Sequence, residues 1–379
     1  MPSEEILSLN FEEMKKAGLP VKQGVRQFHV EDKKDARAVA SGIWVPRWAK
    51  HAAINYPIVS KSLGIREFED CAKDVPCFCV GIGPSLDGNI KDLKTAQKRS
   101  LIFSTDAALK PLLANGIIPH VVMSFDCGEN QKTLLEDIPY EVQKKIFLVL
   151  NSCTHPDTIA SWQGTKVFFN QYHQQDEFIA KLLPYIYPKT GQLPSVGTVG
   201  NMLIVMAHFF GIKAIHLVGM DLCYGEGEKQ GKKGWQYRAQ DYSFVDGSYV
   251  RKDNNLLYEN DARVIRSFEE EINGVKYRVD PELKLYREAI LSVCEALKIY
   301  PIDCSTGVLN QYFPTKSISD CIMLHCRGEI TKYRTVLTNS EEFFNVSKNT
   351  FNQSITATWA TVKNLSETYD EAVTYGHGA

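Results

Sequence analysis

The segment PCFCVGIGPSLDGNIKDLK, residues 76–94, reads as a buried strand that breaks on two glycines and runs straight into a helix. Cys77 to Val80 is apolar without alternation, the pattern of a strand covered on both faces, and Pro84 and Ser85 suit a first helical turn. Comparable runs recur outward from it: SLIFST (100–105), HVVMSFD (120–126), KIFLVLN (145–151), KVFFN (166–170), AIHLVGMD (214–221) and KIYPIDC (298–304). Helical stretches are expected at 87–97, 106–115, 128–136, 174–186, 197–210 and 281–297, the last opening with Pro281 at a first helical position. Parallel strands need crossovers of this length.

The fold expectation is therefore α/β, a Rossmann-like parallel sheet with helices on both faces. Residues 1–75 precede the first strand and read as a helical N-terminal cap, with Gly18 and Pro20 closing its first helix. Residues 76–326 are expected to form the Rossmann-like domain, interrupted at 225–279 by a long polar excursion of the kind that serves as a lid or stays partly disordered. Residues 327–379 are polar, with Phe344, Phe351, Ile355, Val362, Leu365 and Tyr369 at helical spacing. This tail is expected to be a helix that docks on the body or joins a second copy in a homo-oligomer.

Composition narrows the function classes. With 43 basic and 45 acidic residues the formal net charge is -2, so the bulk positive field of a nucleic-acid binder is missing. No long apolar window marks a membrane span, and the acidic, amphipathic start is unlike a signal peptide, so a cytoplasmic protein is expected. The ten cysteines include no CxxC pair and read as buried thiols in a reducing compartment. Cys77 and Cys79 should share one face of their strand. His325-Cys326 has no partners at zinc spacing.

Ligands of open parallel sheets bind beyond the carboxyl ends of the strands, which directs attention to four places. Gly81-Ile82-Gly83-Pro84-Ser85 offers close backbone approach and a helix N-terminus to a phosphate, although Leu86 stands where the third glycine of GxGxxG belongs and no P-loop lysine is present. A tight structural turn is the competing reading. Asp106, after the second strand, suits ribose hydroxyls or a helix cap. Asp126, after the third, suits a metal, a proton-abstracting role or a cap. Ser195, Gly197 and Thr198 precede an apolar helix and form a second anion site, with Asp221 and Tyr224 at the same rim.

Taken in order, GIGPSLDGNIKDLK, STDAALKPLLANGIIPHVVMSFD and SVGTVGNMLIVMAHFFGIKAIHLVGMDLCY resemble the core of the motility-associated factor (Maf) flagellin glycosyltransferases. That core is also similar to archaeal 6-hydroxymethylpterin diphosphokinases (MptE-like) and, more remotely, to bacterial CMP-sialic acid transferases. The resemblance runs from about residue 52 to 325. It implies a cytidine or adenine nucleotide, with phosphates at Gly81, Gly83 and Ser85 and the donor or leaving group near Ser195, Gly197 and Thr198. Two departures stand out. Pro119-His120 replaces the Pro-Asp common in the family, and residues 217–324 contain no histidine to match the general base of the sialyltransferases.

An acceptor hydroxyl would then be deprotonated by His173, by Asp126 or by Asp221; a loop histidine without a role and a buried, backbone-bonded Asp221 are the competing readings. The expected function is a nucleotide-dependent transferase, a glycosyltransferase with a CMP-linked nonulosonic acid donor and a protein or glycan acceptor, needing no metal cofactor. The alternative is a pterin-type diphosphokinase in which Asp126 and Asp221 hold Mg²⁺. A nucleotide-binding module without catalysis is the third reading.

Overall fold

A computed structural model of the chain describes residues 47–326, apart from 74, 173–182, 195, 230–231, 237, 239–240, 246–247, 254–255 and 258–264. His173, Ser195, residues 1–46 of the expected cap and the whole expected tail lie outside the described residues.

The centre is a nine-stranded sheet in which all pairings are parallel. Its strands are β1 (Leu63–Gly64), β2 (Cys77–Val80), β3 (Leu101–Thr105), β4 (Val121–Ser124), β5 (Phe147–Asn151), β6 (Lys166–Tyr172), β7 (Gln192–Pro194), β8 (Ile215–Val218) and β16 (Ile302–Asp303). Spatial order is β1-β6-β5-β4-β3-β2-β8-β16, with β7 paired to β6. From β2 the chain steps outward through β3, β4, β5 and β6, then returns to lay β8 on the other side of β2. The order reverses there, so the crevice between the carboxyl ends of β2 and β8 is the sheet's switch point.

The core strands are buried along their full length, which is why they carry apolar runs instead of alternation. Cys77 and Cys79 share one face as expected, packed with Met202 to Ala207 of α6 (Val199–Phe209) and with Ile290 and Cys294 of α7 (Pro281–Leu297). Phe78 and Val80 point to the other face, toward α2 (Leu86–Ala96), α3 (Asp106–Ala114) and α8 (Ile318–His325). Helical residues 47–59, here α1, pack on that side with β5 and β6. The expected helix at 128–136 is instead a 3₁₀ segment, Glu129–Leu134. The short helices α4 (Tyr140–Gln143) and α5 (Pro156–Ala160) flank β5. The strand expected over 298–304 is cut to two residues, because Lys298 closes α7 in the left-handed region and Pro301 follows.

Within 225–279 the described residues are mostly strands. They form β9 (Gly225–Lys229), β10 (Lys232–Gln236) and β13 (Leu256–Leu257) in one antiparallel unit, a β11 (Asp241–Val245) and β12 (Ser248–Asp253) hairpin, and a β14 (Phe268–Ile272) and β15 (Val275–Val279) hairpin. The β11–β12 hairpin lies against α3. Arg287 of α7 grips Glu270 of β14 with both guanidinium nitrogens, at 2.7 and 3.0 Å, and Lys284 adds a contact at 3.2 Å. Arg278 of β15 stacks its guanidinium 5.0 Å from the Trp235 ring, joining two of the units.

Asp280 ties this insertion to the body. One carboxylate oxygen caps α7 by accepting the Leu283 amide at 2.8 Å, and the other accepts the Tyr224 hydroxyl at 2.7 Å. Asp280→Ala removes both bonds and should cost about 2 kcal/mol, whereas Tyr224→Phe spares the cap and should cost about 1 kcal/mol. Thermal melts of the two variants should therefore fall in that order, and equal melting points would show that the cap contributes nothing.

Candidate functional site

The loops after β2 and β8 meet at the switch point. Gly83 donates its amide to the Gly219 carbonyl at 2.7 Å. Asp221, only 3% exposed, uses a single oxygen, Oδ2, to accept the Ser85 hydroxyl at 2.9 Å and the Ser85 amide at 3.2 Å. The two glycines of the first loop therefore serve a close approach of protein to protein. A Cβ on Gly81 would sit 2.6 Å from the Gly219 carbonyl oxygen, and one on Gly83 would sit 2.0 Å from Asp221 Oδ2. Open space for a phosphate was the sequence expectation at Gly83; the carboxylate of Asp221 fills it.

Met220 joins the second anion site to the first. Its sulfur would be 3.0 Å from a Cβ on Gly81 and 2.8 Å from one on Gly200 in the first turn of α6. This brings Gly81 to Ser85 and the N-terminus of α6 to one crevice. Gly197, with φ of +88°, turns the chain into α6, and Thr198 caps it by accepting the Asn201 amide at 3.1 Å. The insertion begins over the same place, since a Cβ on Gly225 would touch the Pro84 ring at 2.9 Å and the Gln236 amide donates to Asp87 at 3.2 Å.

Burial pushes the Asp221 carboxyl up to about 6; neighbouring Asp303 adds to the rise and the bonds from Ser85 oppose it. Asp303, at the end of β16, went unnoticed in the sequence. Its Oδ1 accepts the Ser305 amide at 2.9 Å, its Oδ2 is buried without a partner among the described residues, and burial raises the carboxyl too, to about 6. Ser305 completes the rim by accepting the Met220 amide at 3.0 Å. The signal was present, because IDCST follows a strand end as the other site segments do.

The remaining carboxylates sit apart. Thr105, not Asp106, caps α3, accepting the Ala108 amide at 3.3 Å. Asp106 is buried and bonded to the Ala107 amide at 2.8 Å and to the Gln131 side chain, so its carboxylate is turned to protein and not to a ribose. Burial lifts its carboxyl to about 6. Asp126 is exposed beyond β4, yet desolvation by its surroundings raises its carboxyl above the ordinary range. At the sheet, β4 and β8 are three strand spacings apart, about 14 Å. Asp126 and Asp221 thus follow strands that are not neighbours in the sheet. His120, the departure noted in Pro119-His120, is buried at the opposite end of the sheet, where its ring accepts the Ile102 amide at 3.1 Å.

A cavity of ≈ 260 Å³ lies away from this crevice, by β6 and β7, lined by Arg66, Glu69, Asn170, Tyr187 and Gln192. Among the described residues, no helix is long and apolar enough to cross a membrane.

Residues 50–227 match the family model described as 6-hydroxymethylpterin diphosphokinase MptE-like, which contains the whole switch-point crevice except Asp303 and Ser305. Among solved structures, the Maf glycosyltransferase of Magnetospirillum magneticum AMB-1 aligns over 78% of this chain with a TM-score of 0.52 and 18% identity. The alignment covers 41% of that protein's length. At this identity the likeness shows the fold, and together the two findings support the resemblance to the Maf and MptE-like superfamily. No curated protein sequence matches significantly.

Two glycine substitutions separate the close approach from ordinary helix effects. Gly83→Ala forces a methyl into Asp221 and Gly219 and should lower the melting temperature by several degrees. Gly88→Ala lies on α2 with nothing within 4 Å and should stabilise by up to about 1 kcal/mol. If both substitutions shift the melt in the same direction, the packing at Gly83 is not as described.

The pH dependence has a definite sign. A carboxyl raised from 3.8 to about 6 binds its proton more tightly in the folded state, so its stabilising contribution is complete below about pH 4 and is lost as pH rises through 6. Asp221→Asn keeps an acceptor for Ser85 without the buried charge. It should melt higher than the parent at pH 7, by an amount worth about 1–3 kcal/mol, and should lose less stability between pH 4 and pH 7. A variant that melts lower at pH 7 would mean that the charge itself holds the loops together.

Proposed function

We propose that the chain is a nucleotide-dependent transferase whose donor nucleotide lies in the crevice between β2 and β8. The observation that supports it is the convergence on Met220 of two backbone turns, Gly81 to Ser85 and Gly197 to Gly200, each leading into a helix N-terminus. Two such turns suit the phosphate and the anionic group of a two-part donor. The proposed reaction is glycosyl transfer from a CMP-linked nonulosonic acid to a protein or glycan hydroxyl. The likeness in fold to the Maf glycosyltransferase favours this reading.

In this scheme the insertion that starts at Gly225 and touches Pro84 covers the donor and keeps water from it. Asp126 is the proposed base, because it is exposed beyond β4, toward which the sugar of a donor seated at β2 and β8 would extend, and desolvation raises its carboxyl above the ordinary range. Asp221 is the positioning residue that holds Ser85 and shapes the loop.

Pyrophosphoryl transfer to a pterin-like alcohol is the second reading, favoured by the description of the family model that residues 50–227 match. Magnesium there would assist by neutralising charge on the transferred phosphates. Asp221, beside Asp303, would be the carboxylate nearest to them, without Asp126.

Calorimetric titration of CMP, CDP, AMP and ATP, each with magnesium and with EDTA, distinguishes the readings. CMP should bind tightest, with its affinity changing less than about threefold, or 0.7 kcal/mol, between the two conditions. ATP binding that disappears in EDTA, with weak CMP binding, would replace sugar transfer by the kinase reading.

A further inference from the structure

The carboxyl end of β16 and the last described helix carry a cluster of side chains that the proposed reaction leaves unused. Cys304, next to Asp303, has its sulfur 3.7 Å from that of Cys321 on α8. Both are buried. Beside them His216 of β8 places Nε2 2.9 Å from His325 Nδ1, and its own Nδ1 lies 3.0 Å from the Cys77 carbonyl. A carbonyl only accepts, so His216 carries a proton on Nδ1 and its Nε2 is the acceptor in the neutral ring. The sequence reading found no partners for His325-Cys326, because the partners come from 109 residues away in β8.

We propose that Cys304 and Cys321 are a redox-modifiable pair that closes to a disulfide on reaction with a small peroxide, cross-linking α8 to the end of β16. Two sulfurs at 3.7 Å need roughly 2 Å of movement to bond. The Cys304 thiol, bonded to the Cys321 sulfur, and the His216 ring hold Cys321 below the ordinary thiol range. Among the described residues no three His, Cys, Asp or Glu side chains are arranged to hold a metal ion.

The step balances with hydrogen peroxide as the oxidant. The Cys321 thiolate attacks one peroxide oxygen, the O–O bond breaks and hydroxide leaves, giving a sulfenic acid. Cys304 sulfur then attacks the Cys321 sulfur and displaces the second oxygen, while the two thiol protons end on the two oxygens. Two electrons pass from the thiols to the peroxide, and the products are one disulfide and two waters. The cross-link lies beside the switch point, since the Cys304 carbonyl accepts the Asn89 side chain of α2 at 2.8 Å and its amide donates to Leu217 of β8 at 2.8 Å.

The test is peroxide treatment of the full-length protein, followed by unfolding in iodoacetamide, digestion and mass spectrometry. A peptide pair joined through Cys304 and Cys321 should appear, should revert with dithiothreitol, and should form at least about tenfold faster than any product at Cys77 or Cys79. Cys304→Ser should leave a Cys321 sulfenic acid that dimedone traps, and Cys321→Ser should abolish both products. The proposal is overturned if Cys304 and Cys321 stay alkylatable while other cysteines oxidise, or if Cys321 pairs with Cys326 instead. It is equally overturned if the pair resists peroxide until a chelator extracts a metal. The parent protein alone decides these outcomes should a variant fail to fold.

Discussion

The carboxylate of Asp221 reaching across to Ser85 is the contact on which the arrangement of this molecule depends. It closes the one place where the order of the parallel sheet reverses, and every nearby feature is adjusted to it. Gly83 has no side chain because Asp221 Oδ2 occupies that space, and Gly307 has none because a Cβ there would lie 2.1 Å from the Asp221 carbonyl oxygen. The same carbonyl accepts the Val308 amide at 2.8 Å, fixing the chain that follows β16. Gly219 and Leu222, at φ of +63° and +49°, bend the chain on either side so that the carboxylate can turn inward. A buried charge is costly unless it is bonded, and the two Ser85 donors lower that cost without removing it, which is why the carboxyl titrates near 6.

Where the sequence was read well, the signal was local. Strands buried on both faces advertise themselves as uninterrupted apolar runs, and α7 was bounded correctly at both ends because Pro281 marks its start and its apolar period runs out before Lys298. The order of strands was left open, for nothing in Cys77 to Val80 says that β8, some 140 residues on, will lie beside it. β1 and β7, of two and three residues, are too short to show a pattern. The β14–β15 hairpin could have been found: Asn273-Gly274, both at positive φ, is the turn signal that joins two short strands. Its charged strand, FEEEI, concealed it, since that face is turned to solvent and not to a core.

The site shows the same division. The rule that ligands gather beyond strand ends singled out Gly81 to Ser85, Asp106, Asp126, Thr198 and Asp221 as candidates. It did not show that Asp106 would be turned toward Gln131, that Asp221 would fill the space above Gly83, or that Asp126 would follow a strand three places from β8. Each depends on neighbours brought in by strand order. The Cys304, Cys321, His216 and His325 cluster was hidden for the same reason, because it joins β8 to the C-terminal end of the described chain.

The central claim is that a nucleotide enters between the loops after β2 and β8. Amide hydrogen exchange, followed with and without saturating CMP, tests it most directly because it reports position independently of turnover. The account predicts slowed exchange at residues 81–89 and 219–226, with no change at residues 66–69 and 183–192 around the cavity by β6 and β7. Protection confined to that cavity, with residues 81–89 exchanging as in the free protein, would contradict it.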